Sequence, residues 1–240
     1  MYIDVKYMIE RYVKVDKLNR DQLYRYLGYK GNTPDEVVRG IVDKSEEYLI
    51  NVIKPAYVWN VFDIKELLTG DIYNGIEVVG TSLVLKGQSI RKHLTGCDKI
   101  VLLCATLSME ADKLIRQTEV QDMARALIVD AAASVAIEQV CDMAEKQIKE
   151  SYPKQYMTYR YGVGYGDLPL EHEGVILDIL SAGKYIGLYC SDASILTPRK
   201  SVVCMIGLSD NPLPVGQKGC ATCNMNTKCS YRKQGLNCGY

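Results

Sequence analysis

The residues best suited to chemistry fall in one run: Arg160, Tyr161, Gly162, Val163, Gly164, Tyr165, Gly166, Asp167, Leu168 and Pro169. Glycine alternates here with bulky side chains, a pattern that suits neither a helix nor a packed strand. Lacking a Cβ, glycine lets the backbone take unusual angles or come close to a ligand. Arg160 offers a planar fork of donors matched to a carboxylate or a phosphate. Tyr165 offers a flat ring and a hydroxyl. The run reads as a binding loop in preference to a plain connection. Asp167 reads as the cap of a helix starting near Glu171 or as a turn former, with a ribose hydroxyl as its alternative partner.

A second concentration lies in the tail, where Cys220, Cys223, Cys229 and Cys238 follow a Cys-x2-Cys-x5-Cys-x8-Cys spacing. Four thiolates this close suit an iron–sulfur cluster or zinc, although the spacing is not that of a standard ferredoxin or zinc finger. Unliganded thiols and a regulatory disulfide are the other readings. Cys97, Cys104, Cys141, Cys190 and Cys204 stand in apolar segments and read as core thiols. His93 and His172 stand singly on helical segments, which favours a surface or packing role over metal ligation. Asp130, Ser134 and Glu138 recur at four-residue spacing and share a helix face. That face is either a solvated stripe opposite Ile128, Val129 and Val135 or, at Glu138, the rim of a ligand groove.

These groups need elements to position them. Residues 1 to about 53 read as helical, with Thr33 as a cap, Pro34 in the first turn and Glu36 three residues after the cap. Lys54–Leu67 reads as extended, and Gly75–Leu85 as a strand pair. Gln88–Leu94 reads as a short helix and Asp98–Cys104 as a strand covered on both faces. Met109–Glu150 is one long helical stretch or two helices, closed by Pro153. Glu171–Ala182 reads as a helix ending at Gly183, and Lys200–Leu208 as a strand. Strands and helices mix without a β-α-β rhythm, which favours α+β.

Composition narrows the classes. The 240 residues are 48% hydrophobic and 24% charged, ordinary globular material. The formal net charge is zero, which argues against a nucleic-acid partner. No signal peptide or membrane span is visible, so no membrane partner and a cytoplasmic location are expected. Cytoplasmic cysteines in turn favour thiols or metal ligands over a disulfide framework.

From Arg160 to Leu208 the sequence resembles the activation, or reactivation, domain of vitamin B12-dependent methionine synthase. The family's Arg-x-x-x-Gly-Tyr signature falls on Arg160, Gly164 and Tyr165, a helix follows at Glu173–Leu180, and a Pro-x-x-Ser-Val pattern falls on Pro198, Ser201 and Val202. The likeness weakens back to Asp98 and is faint before residue 90. It implies an α+β fold with a twisted antiparallel sheet and flanking helices. It implies three portions: residues 1–90, a core at 91–210 and the Cys-rich tail at 211–240. It also implies a shallow groove for S-adenosylmethionine, whose methyl group goes to a cobalamin that has lapsed to cobalt(II) and is reduced.

Carried over by motif, Arg160 would hold the methionine carboxylate, Gly162 and Gly164 would bring backbone to the ligand, and Tyr165 would lie against the ligand near the corrin. Glu138 resembles the family's helical glutamate near the ligand. The residue types suit the ligand: a guanidinium for its carboxylate, a carboxylate for its ammonium, an aromatic face for its sulfonium and adenine. Two departures stand out. Val163 replaces a proline common before the Gly-Tyr pair, and Lys154 replaces an acidic residue. The N-terminal aspartate of the family has no match.

The implied role is an accessory one within a cobalamin-dependent methyltransferase system. The cobalamin would be carried by a methionine synthase or another corrinoid protein, acted on in trans, with a reductant protein. The alternatives are a non-catalytic S-adenosylmethionine sensor and an iron–sulfur electron-transfer accessory.

Overall fold

The computed structural model describes residues 8–11, 13–29, 34–69 and 72–213. It opens with strand β1 (Met8–Arg11) and helices α1 (Arg20–Tyr26) and α2 (Glu36–Val52). β1 corrects the reading of this whole region as helical: its residues pair antiparallel with Ala56–Trp59. A partner strand some fifty positions on (Met8 opposite Trp59) overrides local propensity. The cap of α2 is Asp35, whose carboxylate accepts from the Val38 N–H at 2.8 Å. The expected cap, Thr33, lies outside the described residues, and Pro34 precedes the helix. Val42, Ser45, Glu46 and Leu49 form its buried stripe.

Strands β2 (Ala56–Thr69), β3 (Ile72–Val78) and β4 (Val84–Leu85) follow where extended chain is predicted, then helix α3 (Gln88–His93) and strand β5 (Lys99–Thr106). Every residue of β5 from Ile100 onward is buried, as its unbroken apolar run predicts. The long helical stretch divides into α4 (Met109–Gln121) and α5 (Met123–Ser151). Asp122 makes the break: its backbone is extended, and its carboxylate accepts from the N–H groups of Ala124 and Arg125.

Short strands β6 (Tyr156–Met157) and β7 (Tyr161–Gly162) precede helices α6 (His172–Ile179) and α7 (Ala182–Ile186). The predicted single helix from Glu171 to Ala182 is therefore two. Ser181, in the left-handed region at φ 50°, interrupts it, and Gly183, the expected terminator, lies inside α7. The chain continues with the hairpin β8 (Tyr189–Cys190) and β9 (Leu196–Thr197) and ends in strand β10 (Ser201–Ser209).

The larger sheet runs β4-β3-β2-β5-β10-β6, with β1 also on β2 and β7 also on β10. The pairings of β1, β3, β4, β6 and β7 are antiparallel, giving the expected α+β fold of antiparallel sheet and flanking helices. The chain forms two compact units that interleave in sequence, and β2, β5 and β10 each contribute residues to both.

The first unit comprises residues 1–60, 102–152 and 173–203. In it α5 packs on α4 and α2. Its core includes Leu49, Val58, Leu102, Val135, Ile148, Ile176 and Leu180. Gln147 ties it together, accepting from the Trp59 indole at 2.8 Å and donating to Glu10 at 3.0 Å. The second unit comprises residues 61–101, 153–172 and 204–240. Val78, Leu83, Leu85, Ile90, Ile100, Met205, Ile206 and Leu208 form its core. Among the described residues no helix is long and apolar enough to cross a membrane.

Candidate functional site

The Arg160 loop belongs to the second unit and is built on β10. Thr158 starts it with a two-way bond: its N–H donates to the Gly207 carbonyl at 2.9 Å, and its hydroxyl accepts from the Gly207 N–H at 2.8 Å. Tyr161 and Gly162 then pair with Met205 and Cys204. Arg160, half-buried, sits between these two attachments. Val163 turns inward, 8% exposed, and is the apolar foot of the loop.

Beyond Val163 the chain reverses. The Tyr165 N–H donates to the Gly162 carbonyl at 3.3 Å, and the Leu168 N–H to the Tyr165 carbonyl at 3.1 Å. Gly164 lies in this turn beside Leu170. The Tyr165 ring settles on the Gly162 backbone, 3.1 Å from where a Cβ would stand, and is 71% exposed. An aromatic ring resting on glycine backbone with its other face in water is a ready surface for a planar or cationic ligand. Gly166 has φ 62°, and a Cβ there would stand 2.5 Å from Ser89 Oγ and 2.8 Å from the Tyr161 hydroxyl. Only glycine fits.

The aromatic groups form a ladder. The His93 ring centroid lies 4.6 Å from Tyr159 and 4.8 Å from Tyr161, and Tyr161 lies 6.3 Å from Tyr165. His93 Nε2 is 2.9 Å from Thr158 Oγ1. Burial pushes the His93 pKa down to about 4, against the pull of a backbone hydrogen bond at Tyr159. His93 is thus a neutral packing histidine at pH 7, one of the two roles expected of it. Burial also raises the Tyr161 phenol above its ordinary range.

Asp167 corrects an expectation. It caps a helix, but not the one that follows it. Its carboxylate accepts from the Gln88 N–H at 2.6 Å and the Ser89 N–H at 2.9 Å, at the start of α3. Those backbone bonds, Ser89 first, hold its pKa below the usual carboxylate range. Ser89, His93 and Tyr159 were not legible as parts of this loop. One signal was available: Gly87 precedes α3 and has no side chain with which to cap it.

Glu138 lies in the first unit, half-buried on α5. Of its stripe, Asp130 and Ser134 are engaged by Lys200, whose ammonium is 2.9 Å from Asp130 Oδ1 and donates to Ser134 Oγ at 2.9 Å. That part of the face is a structural clasp. Lys154 is exposed just after α5. Ser191, Ser194 and Ile195 close a turn, with the Ser194 N–H on the Ser191 carbonyl and the Ile195 N–H on Ser191 Oγ. Cys104, Cys141 and Cys204 are buried, and Cys97 and Cys190 partly so. Cys220, Cys223, Cys229 and Cys238 lie outside the described residues. Among the described residues no three His, Cys, Asp or Glu side chains are grouped to hold a metal ion.

This fold has a solved counterpart. The crystal structure of the MetH reactivation domain bound to AdoHcy aligns with a TM-score of 0.62, over 98% of this chain and 87% of that one. Sequence identity is 15%, so the likeness is one of fold. No family model matches the sequence, and no curated protein matches it.

Proposed function

We propose that this chain is an S-adenosylmethionine-binding module of the reactivation type, serving a partner that carries cobalamin. The observation that carries the reading is the coincidence of two independent facts. The fold is like that of a domain captured with AdoHcy. On that fold, Arg160, Gly162, Gly164 and Tyr165 lie in one clamped loop with an exposed aromatic face. Arg160 receives the methionine carboxylate, the Gly162–Gly164 backbone lies along the ligand, and Tyr165 covers the sulfonium side.

The chemistry asks little acid–base help of the protein. Cobalamin on the partner, reduced by a reductant protein, would supply the nucleophile for the sulfonium methyl group; Arg160 and Tyr165 would hold the S-adenosylmethionine that carries that methyl group. Positioning is the main contribution of this chain. The tail cysteines are the proposed holders of an iron–sulfur cluster or zinc.

Lys154 favours a second reading, in which the module binds S-adenosylmethionine as a sensor and transfers nothing. Calorimetry with S-adenosylhomocysteine tests the shared part. Binding is expected in the native chain and a loss of at least tenfold in Arg160→Ala, the scale of a charge-assisted bond. Native protein that does not bind removes both readings. Methylcobalamin formation with a cobalt(II) corrinoid partner and a reductant then separates the first reading from the second.

A further inference from the structure

The segment from Thr158 to Asp167 grips α3 at both ends. At its C-terminal end, His93 bonds Thr158 and packs against Tyr159 and Tyr161. At its N-terminal end, Asp167 accepts from Gln88 and Ser89, whose N–H groups have no cap of their own because Gly87 precedes them. The close approach depends on that glycine. Its φ is 132°, and a Cβ on Gly87 would stand 2.7 Å from Asp167 Oδ1. Between the two ends, the Tyr161 hydroxyl donates to the Tyr165 carbonyl at 3.1 Å. Ser89, itself bonded to Asp167, also reaches the Tyr161 hydroxyl.

We propose that Asp167 is a positioning residue for the ligand loop, with α3 as its splint. A cap supplied from within α3 would steady the helix alone. A carboxylate arriving from 78 residues away bolts the C-terminal end of the loop to the helix as well. The other end is fixed by His93. The spacing between Arg160 and Tyr165 is thereby set before a ligand arrives, although two glycines, Gly162 and Gly164, intervene. Asp167 touches no ligand; it removes the ordering cost that a free glycine loop would meet on binding. This rests on the ligand reading above.

The test compares native protein with Asp167→Ala, Asp167→Asn and Gly87→Ala. The last displaces the carboxylate while keeping it. Calorimetry with S-adenosylhomocysteine and residue-level amide exchange of the free proteins are the readouts. Expected are a roughly tenfold weaker affinity in Asp167→Ala carried by entropy, an intermediate loss in Asp167→Asn, and a loss in Gly87→Ala. The Tyr165 and Leu168 amides should exchange faster in the free variants and return to native rates at saturating ligand. Unchanged affinity in Asp167→Ala against a native protein that binds would overturn the positioning role and leave the ligand reading standing. If the native protein does not bind, the ligand reading fails on its own. Exchange at Tyr165 and Leu168 then decides the splint by itself, and native rates in all the variants would sink it. Should Asp167→Ala not fold, Asp167→Asn and Gly87→Ala carry the same comparison.

Discussion

Helix α5 in the first unit and the Thr158–Asp167 segment in the second are both fixed, by opposite means. α5 is fixed by burial: its Ala-, Val- and Ile-rich face leaves Val135, Ala136, Val140, Ala144 and Ile148 with no exposed surface. Its polar side chains serve as clasps to other segments, as Gln139 does for Lys17 and Asn19. The loop buries little beyond Val163 and Leu168. It is fixed by hydrogen bonds to backbone and by missing Cβ atoms. An element held by its side chains has already spent them on packing. An element tied to its neighbours largely through backbone groups can still present a side chain to solvent, as Tyr165 does at 71% exposed.

Three changes break or sharpen this contrast, beyond those already described. The largest effect is expected from Ile148→Ala, which empties a fully buried site on α5. Urea denaturation should show a loss of about 3 kcal/mol; a loss under about 1 kcal/mol would deny that burial fixes the helix. Next comes pH. His93 is held neutral, with its pKa lowered to about 4 in the folded chain against an ordinary 6.5. The unfolded chain therefore binds a proton that the folded chain refuses as pH falls from 6.5 to 4. The stabilisation is complete above pH 6.5 and is lost across that interval, on the order of 3 kcal/mol at most. His93→Gln should flatten this part of the stability profile, and an unaltered slope would place the histidine in water. The smallest effect belongs to Gly166→Ala. A left-handed alanine pressed on Ser89 should cost roughly 2 kcal/mol and speed exchange at the Tyr165 amide. Native exchange in that variant would mean that the missing Cβ is not what holds the loop.

Where local chemistry decided the outcome, it was legible. The unbroken apolar run of β5 announced a strand covered on both faces, and the Ala- and Glu-rich stretch from Met109 announced helix. The alternating glycines of the Arg160 loop announced unusual backbone angles, and Gly164 and Gly166 both take positive φ. Where a distant partner decided, the pattern was silent. Met8–Arg11 is a strand because Ala56–Trp59 pairs with it. The helix after Glu171 breaks at Ser181, although the sequence has neither glycine nor proline at Leu180 or Ser181. Asp167 looked like a local cap because nothing near it says that Gln88 and Ser89 lack one.

By itself, then, the sequence determined most of the helices and strands, β1 and the break at Ser181 apart, through the periods of their apolar residues, and it placed Gly162 and Gly164 between Arg160 and Tyr165. Only the tertiary structure decided that α3 lies along that loop, with His93 at one end and Asp167 at the other. The reason is physical: hydrophobic period is a property of neighbouring residues, whereas a backbone N–H takes whichever acceptor the folded chain delivers, however far away it was in sequence.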